Sequence, residues 1–550
     1  MKRPHTYFIA LAMMMLFAGG CQMAEQIYDK VSPDEFFTNK ESIYAMLRSP
    51  FEFRAHSFNE LNYWFLQELT TDEMAAPARA SDFYDNGFWI RLHRHTWSTE
   101  DVRVGDTYTQ TNYIIANALV AQEALSEADY IGLGLTEADK RNHLNQIKTV
   151  LAYAYMRALD LFGGMPIYTR HGETLKPRNT RRETFEYIET LLKESIPGLT
   201  CRESLEQHQD GYVYKGAAAM LLAKLYLNAI PYIGEDRYED AEKILQDIYD
   251  NKYGVYALDP TWWGPFCFDN HESPEAMWYV PSANSRMQFR RIYTFLYPYN
   301  AKIYFDCGLL GRCNNGIQLS PSLESPGVPY TTKLGRPYAK FNERDLRKKP
   351  YAYKGDGLYE GMFLVGLLKN SSTGEICKGT KMKNGQPIDL VDYVNYSGSK
   401  SDMLQGDENS GIRLVKLPVP DKNDKLRLYD PDYPDMRFTE VVYNLAECRW
   451  RRGDMQGAAD LINSVRRRNF ENGADPDPVT PSNLDLYRLA DEYMIEFIGE
   501  GRRRTDLIRW GLFTSGSWWD KEPSPDTRNV FCIPSSALYA NPLMEQNPGY

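Results

Sequence analysis

The strongest constraint on the fold is a set of apolar stripes at helical spacing. Residues 144–162 carry Leu144, Ile147, Leu151, Ala154, Ala158 and Leu161; residues 184–196 carry Phe185, Ile188, Leu191, Leu192 and Ile196. Residues 212–229 carry Val213, Ala217, Met220, Leu221 and Leu225, and residues 237–250 carry Tyr238, Ala241, Ile244, Leu245 and Ile248. The pattern returns near the C-terminus, with Val442, Leu445, Ala446 and Arg449 in 438–452 and Ala458, Leu461, Ile462 and Val465 in 455–468. Steps of three and four place each set on one face of an α-helix. "YTQTNYIIANALVAQEAL" adds a further helix, with Tyr113, Asn117, Val120 and Ala124 expected on its packed face.

Two stretches, "AKLYLNA…RYEDAEKILQDI" and "NLAECRWRRGDMQGAADLINSV", are built alike: a helix with small residues, a polar turn, then a helix opening with alanine. That spacing is tetratricopeptide-like, and its small residues let paired helices approach closely. Between the helical parts, residues 253–435 are rich in Gly, Pro, Asn, Asp and aromatics with little helical period, which predicts long loops and short strands. A stretch this long without regular structure is expected to serve function. The expected fold class is mainly α, a tetratricopeptide-like helix-pair scaffold with a large loop-rich variable face. The expected division is residues 1–20, 21–250 and 251–550, the last comprising loop-rich 253–435 and helical 436–550, with the mature regions packed as one composite body.

The N-terminus carries Lys2 and Arg3, then an apolar run from Tyr7 to Phe17. That run falls short of the ~20 residues a spanning helix needs and has the layout of a secretory signal. Ala18, Gly19 and Gly20 lead directly into Cys21, which resembles the lipobox of bacterial lipoproteins, with Ala18 departing from the commoner leucine. The resemblance implies diacylation of Cys21, with residues 1–20 removed. Each buried methylene adds about 0.8 kcal/mol, so several acyl chains make a lasting anchor. An ordinary cleaved signal with a chance cysteine is the alternative. The polar stretch after Cys21 reads as a tether, and "GAAAMLLAKLYL", interrupted by Lys224, is no membrane span.

A net charge of −11 argues against a nucleic-acid partner. The runs Arg466–Arg468 and Arg502–Arg504 lie among Glu496, Glu500 and Asp506 and read as solvated or salt-bridged helix faces. Glu500, Arg502, Asp506 and Arg509 stand at helical spacing as scaffold pairs, with Trp510 in the core. Beyond Cys21 the cysteines are Cys201, Cys267, Cys307, Cys313, Cys377, Cys448 and Cys532, with no C-x-x-C pair. Cys307 and Cys313 are the expected local bridge, and Cys448 an inert core thiol. His93-x-His95 offers two nitrogens but no third ligand by spacing, and Asp430, Asp432 and Asp435 read as a polar loop rather than a calcium nest. No G-x-S-x-G, H-E-x-x-H or P-loop is present, so no catalytic residue, metal or cofactor is assigned.

Five stretches together resemble the RagB/SusD family of outer-membrane nutrient-binding lipoproteins. They are "LAYAYMRALDLFGGMPIYT", "GYVYKGAAAMLLAKLYLNA", "RFTEVVYNLAECRWRRGDMQGAADLINSVRRR", "DEYMIEFIGEGRRRTDLIRWGLF" and "FCIPSSALYANPLMEQNPGY". Arg504 stands where the family often has an aromatic. The resemblance implies a helical scaffold, a place at the cell surface on a lipid anchor, and a TonB-dependent transporter barrel of the SusC type as partner. It also implies capture of glycans, or of peptides in some members, without catalysis.

Sugars are gripped by aromatic faces and planar polar groups, and the chain holds 39 tyrosines and 10 tryptophans. The loop stretches nominate Trp97, Trp263, Tyr297 and Tyr299, then Trp89, Trp262 and Asp101, as ligand contacts. In resembling proteins a loop near Trp89–Arg103 contributes to the ligand face. The expected function is therefore glycan capture and handover to the barrel. A peptide binder ranks second, a surface glycosidase third and a ligand-free assembly subunit fourth.

Overall fold

The computed structural model describes residues 36–283, 289–394 and 401–550; Cys21 and the segment before it lie outside the described residues. Among the described residues there are seventeen α-helices and twelve strands, none of the strands longer than five residues. No helix among them is long and apolar enough to cross a membrane.

The striped segments are helices close to where the pattern puts them. In chain order the scaffold comprises α1 (Lys40–Glu60), α2 (Val102–Glu127), α3 (Glu137–Phe162), α4 (Arg181–Ser195), α5 (Lys215–Leu227) and α6 (Tyr238–Tyr249). It resumes with α7 (Phe438–Arg451), α8 (Met455–Arg466), α9 (Leu486–Phe497) and α10 (Arg503–Arg509). Local chemistry sets their starts. Thr136 with Asp139 and Thr180 with Glu183 form reciprocal capping boxes on α3 and α4.

Helix α1 packs on α2, α2 on α3 and α3 on α4; α5 pairs with α6, and α7 with α8. Helix α6 also packs on α7, so the α7–α8 hairpin stacks directly on the similarly built α5–α6 hairpin. The loop-rich stretch between them is an insertion into one continuous helical layer. Its base is sealed where β1 (Ala276–Val280) pairs antiparallel with β2 (Tyr433–Arg437), which runs straight into α7. The other strands also pair two by two, so the insertion is pinned by short ladders rather than one sheet.

The face expected to pack on α2 is the wrong one. Tyr113 is 54 % exposed, while Ile114, Ile115, Ala118, Ala121 and Leu125 are buried. The helix is apolar over a wide arc, and the outward stripe mimics an inward one.

The arginine runs are largely salt-bridged, as expected, and apart from exposed Arg467 they turn inward rather than forming surface faces. Arg503 and Arg504 are fully buried, and Arg504, at the position the resemblance gives to an aromatic, donates to Asp160 Oδ2 at 2.8 Å. Arg509 grips Glu447 with Nε and Nη2 at 2.9 and 2.8 Å, and Arg502 grips Asp506. Arg437 reaches Glu496 and Glu500 at 2.9 and 2.8 Å, and Arg468 also pairs with Glu496, at 3.0 Å. Buried charges persist only when paired in this way. Cys448 is buried as expected, and burial pushes its thiol pKa up. The expected Cys307–Cys313 bridge is not formed: both are free, buried thiols, and Cys313 Sγ turns to Gly311 O.

Candidate functional site

A run of strained backbone lies at residues 80–87, packed against the loop-rich stretch. Ala80, Phe83, Asp85 and Asn86 all hold positive φ, between 39° and 59°. Each such residue costs about 1–3 kcal/mol unless its surroundings fix it, and such strain gathers at ligand clamps.

The surroundings do fix it. The Phe83 ring sits against Gly316 so tightly that a Cβ there would lie 1.9 Å from it, and it packs on Trp89 and Phe295. Trp89 Nε1 donates to Asp85 Oδ2 at 2.6 Å, and Arg91 Nη1 to Asn86 O at 2.6 Å. Beneath the loop, buried Arg79 donates to the carbonyls of Pro77, Gly316 and Asp407 and to Gln318 Oε1. Burial pushes its pKa down to about 10. With Phe83 turned in, Tyr84 is turned out and is 49 % exposed.

Within this loop, Asp82 accepts hydrogen bonds from Tyr299 Oη and Lys381 Nζ. The Lys381 ammonium also lies 4.4 Å from the Tyr299 ring centroid. Partial burial raises the Asp82 pKa, but the bonds from Lys381 and Tyr299 outweigh it and hold the carboxylate below its usual range. Burial, reinforced by Asp82, pushes the Tyr299 phenol up. The loop bearing Lys381 is moored by buried Glu408, which accepts from the backbone N–H of Thr380, Lys381 and Lys383 at 2.9, 2.7 and 2.9 Å. A phenol, an ammonium and an ionised carboxylate form a fixed row of donors and acceptors, anchored at Asp82 on the loop that also carries the exposed Tyr84. Such a surface suits hydroxyl-rich or amide-rich ligands. Asp82 is ionised and doubly occupied, which suits holding a ligand rather than delivering a proton.

The nominated residues separate into two groups. Tyr299 belongs to this cluster and is part-exposed; Trp263 is part-exposed beside Tyr359. The other five are interior, and their expected role as ligand contacts is corrected. Trp97 packs against the tilted ring of Phe531 and donates Nε1 to Tyr550 Oη at 2.6 Å, so it seats the C-terminal segment. Trp89 is a pillar under the strained loop. Trp262 and Tyr297 belong to an interior aromatic chain running through Tyr359, Tyr351 and Phe305. Asp101 is taken up by Arg91 and the Ser98 N–H. Burying an aromatic ring yields more than leaving it wet, so the loops use these rings for their own core. Tyr84, Asp82 and Lys381 were missed; the signal available was an aromatic inside the polar turn "SDFYDNG".

The other sequence constellations are structural. His93 Nε2 meets Trp519 O and His95 Nε2 meets Thr70 O, at 2.6 and 2.7 Å. Burial pushes the pKa of His93 down to about 4 and that of His95 down as well, leaving both neutral. Asp430, Asp432 and Asp435 turn to three different partners, Arg427, the Ser282 N–H and Arg54. A polar cavity bounded by Arg157, Asp160, Lys224, Glu440, Arg502 and Asp506 holds only about 80 Å³. That is room for a few waters, far below the roughly 300–1,000 Å³ of a ligand pocket.

Residues 326–550 match the family model described as SusD family. The chain is similar to the starch-binding protein SusD of Bacteroides thetaiotaomicron, 24 % identical over 515 residues, covering 88 % of this chain and 84 % of that one. A crystal structure of a SusD superfamily protein from Parabacteroides distasonis superposes with a TM-score of 0.67 at 17 % identity, covering 95 % of this chain and all of that one. Surface glycan-binding protein A from Bacteroides thetaiotaomicron, in complex with laminarihexaose, gives 0.65 at 16 % identity, covering 93 % of this chain and all of the other. The two structural likenesses show the shared fold, residues 326–550 carry the SusD family match, and the curated relative is similar along most of the chain.

Proposed function

We propose that this chain is a cell-surface lipoprotein of the outer membrane that captures glycans on its loop-rich face and passes them to a SusC-type TonB-dependent transporter, with no chemistry of its own. The observation that carries the reading is the strained loop 80–87, which holds Asp82 in the row with Tyr299 and Lys381 and, two residues on, leaves Tyr84 exposed, at a cost in conformational energy. Trp263 is a second aromatic contact in this reading. Support comes from two relatives, one named for starch binding and one seen with laminarihexaose, and from the acylation signal at Cys21.

The test is calorimetric titration of the mature protein with a panel of oligosaccharides and peptides. Glycan binding that weakens at least tenfold in Tyr84→Ala supports the reading. Binding of peptides alone transfers the site to the second reading, and release of reducing sugar transfers it to a glycosidase. Palmitate labelling of the wild type but not of Cys21→Ser tests the anchor, and co-purification with a transporter barrel tests the partner.

A further inference from the structure

Outside the Asp82–Tyr299–Lys381 cluster, three donor side chains meet on the surface. One stands in the segment before α5 and two in the turn before β1. The imidazoles of His208 and His271 and the carboxylate of Glu272 each bring a ligand atom within 4.8 Å of the other two. His208 Nδ1 is 3.6 Å from Glu272 Oε1, and the two imidazole rings meet edge-on with centroids 5.6 Å apart. Donors on a tetrahedral zinc ion with bonds of ~2.0–2.1 Å stand about 3.3 Å apart. Small rotations therefore bring all three onto one ion.

The two segments carrying them are locked together from beneath. The Gln209 N–H donates to His271 O at 2.9 Å, and Gln209 Nε2 to Met277 O at 2.9 Å. Buried Arg202 spans both sides, donating to Gln207 O and Leu205 O in one segment and to Pro274 O next to the other, at 2.9, 2.9 and 3.0 Å. Asp269, two residues before His271, is itself clamped by Arg427, which fixes the start of that turn. The side chains of His208 and Glu272 are 47 % and 54 % exposed, so water can fill the remaining coordination positions.

We propose that His208, His271 and Glu272 form a surface site for a divalent transition-metal ion of the zinc class. Two imidazoles and one carboxylate select such ions over calcium or magnesium, which take all-oxygen ligands. The bound ion clamps the segment before α5 to the turn before β1.

The experiment uses the untagged mature protein, stripped with a chelator and titrated with zinc chloride by calorimetry. One ion binds per chain and raises the Tm; His208→Ala and Glu272→Gln each weaken binding at least tenfold and abolish the Tm rise. His56→Ala, another exposed histidine, leaves both unchanged. Cobalt(II) gives a visible absorption band that His271→Ala removes. Circular dichroism checks that each variant stays folded. No zinc heat in the wild type, or wild-type binding by His208→Ala, Glu272→Gln and His271→Ala, overturns the proposal.

Discussion

Arg503 and Asp72 meet in a two-pronged pair with no water access: Nε to Oδ1 at 2.8 Å, Nη2 to Oδ2 at 3.0 Å, with side-chain exposures of 1 % and 0 %. The pair ties the start of α10 to the segment that leads into the strained loop. Burial raises the Asp72 pKa, but Arg503 outweighs it and holds the carboxylate below its usual range. Arg503→Met leaves that charge alone in the core, and removing one partner of a buried pair costs about 3–5 kcal/mol. The urea midpoint is expected to fall accordingly with an unchanged m-value. The double variant Asp72→Asn/Arg503→Met recovers part of the loss. Additive losses would mean that the two side chains do not act as a pair.

The same motif sets the acid limit. Against burial, Arg437, Arg468 and Arg347 bring Glu496 down to about 2, and Arg502 and Arg509 bring Asp506 down to about 2. Groups with depressed folded pKa values stabilise above their unfolded values, about 3.9–4.3, and lose that contribution as pH falls toward the folded ones. Unfolding followed by circular dichroism is therefore expected to steepen between pH 4 and about 2. Salt-bridge loss by Arg502→Gln moves the onset to higher pH.

Glu68 and Glu73 behave oppositely. Both are buried; burial pushes Glu68 up to about 7, and burial with the Glu68 charge pushes Glu73 up as well. A raised folded pKa contributes stability that is fully present below the unfolded value of about 4.3 and lost as pH rises through the folded one. Glu73→Gln keeps the shape of the protonated acid and removes the cost of holding a proton at neutral pH. It is expected to raise stability at pH 8 by ~1–3 kcal/mol and to leave it unchanged near pH 4.5. A difference that does not vary with pH would exclude a raised Glu73 pKa.

The seat of Phe83 is a direct handle on the strained loop. A methyl at position 316 cannot coexist with the ring at 1.9 Å, so Gly316→Ala expels it. Overpacking of this kind costs roughly 1–3 kcal/mol. Chymotrypsin is expected to cleave at Phe83 or Tyr84 faster in the variant, and Phe83→Leu in the same chain restores resistance. Unaltered cleavage in Gly316→Ala would show that the ring does not hold the loop.

These features mark where the sequence was readable. Helices α3 to α8 follow from apolar periodicity and capping residues, which are local signals. The family motif around Glu500–Trp510 was readable as scaffold because its charges alternate at helical spacing. The ligand face was not. Phe83 finds its seat at Gly316, Asp82 meets Lys381, and Glu408 moors residues 380–383, all across sequence separations that no local pattern encodes. The tryptophans misled for a related reason. In a loop-rich insertion with few ladders, large rings have to supply the core, so an aromatic in a loop is as apt to be a pillar as a platform.

Trp97 and Tyr84 make that distinction measurable. Trp97 is 1 % exposed and holds the C-terminal Tyr550, whereas Tyr84 is 49 % exposed on its strained loop. Trp97→Ala leaves a large cavity and is expected to cost ~3–5 kcal/mol of stability, while leaving the ligand Kd unchanged wherever the variant is folded. Tyr84→Ala removes a side chain that supports nothing, so stability stays within about 0.5 kcal/mol. Its ligand Kd rises at least tenfold. Denaturant titration and calorimetry on both variants read the two effects separately. If Trp97→Ala weakens binding as much as Tyr84→Ala while both remain folded, the ligand reaches a ring that this structure seals beneath Phe531, and the assignment of the loop at 80–87 as the binding face fails.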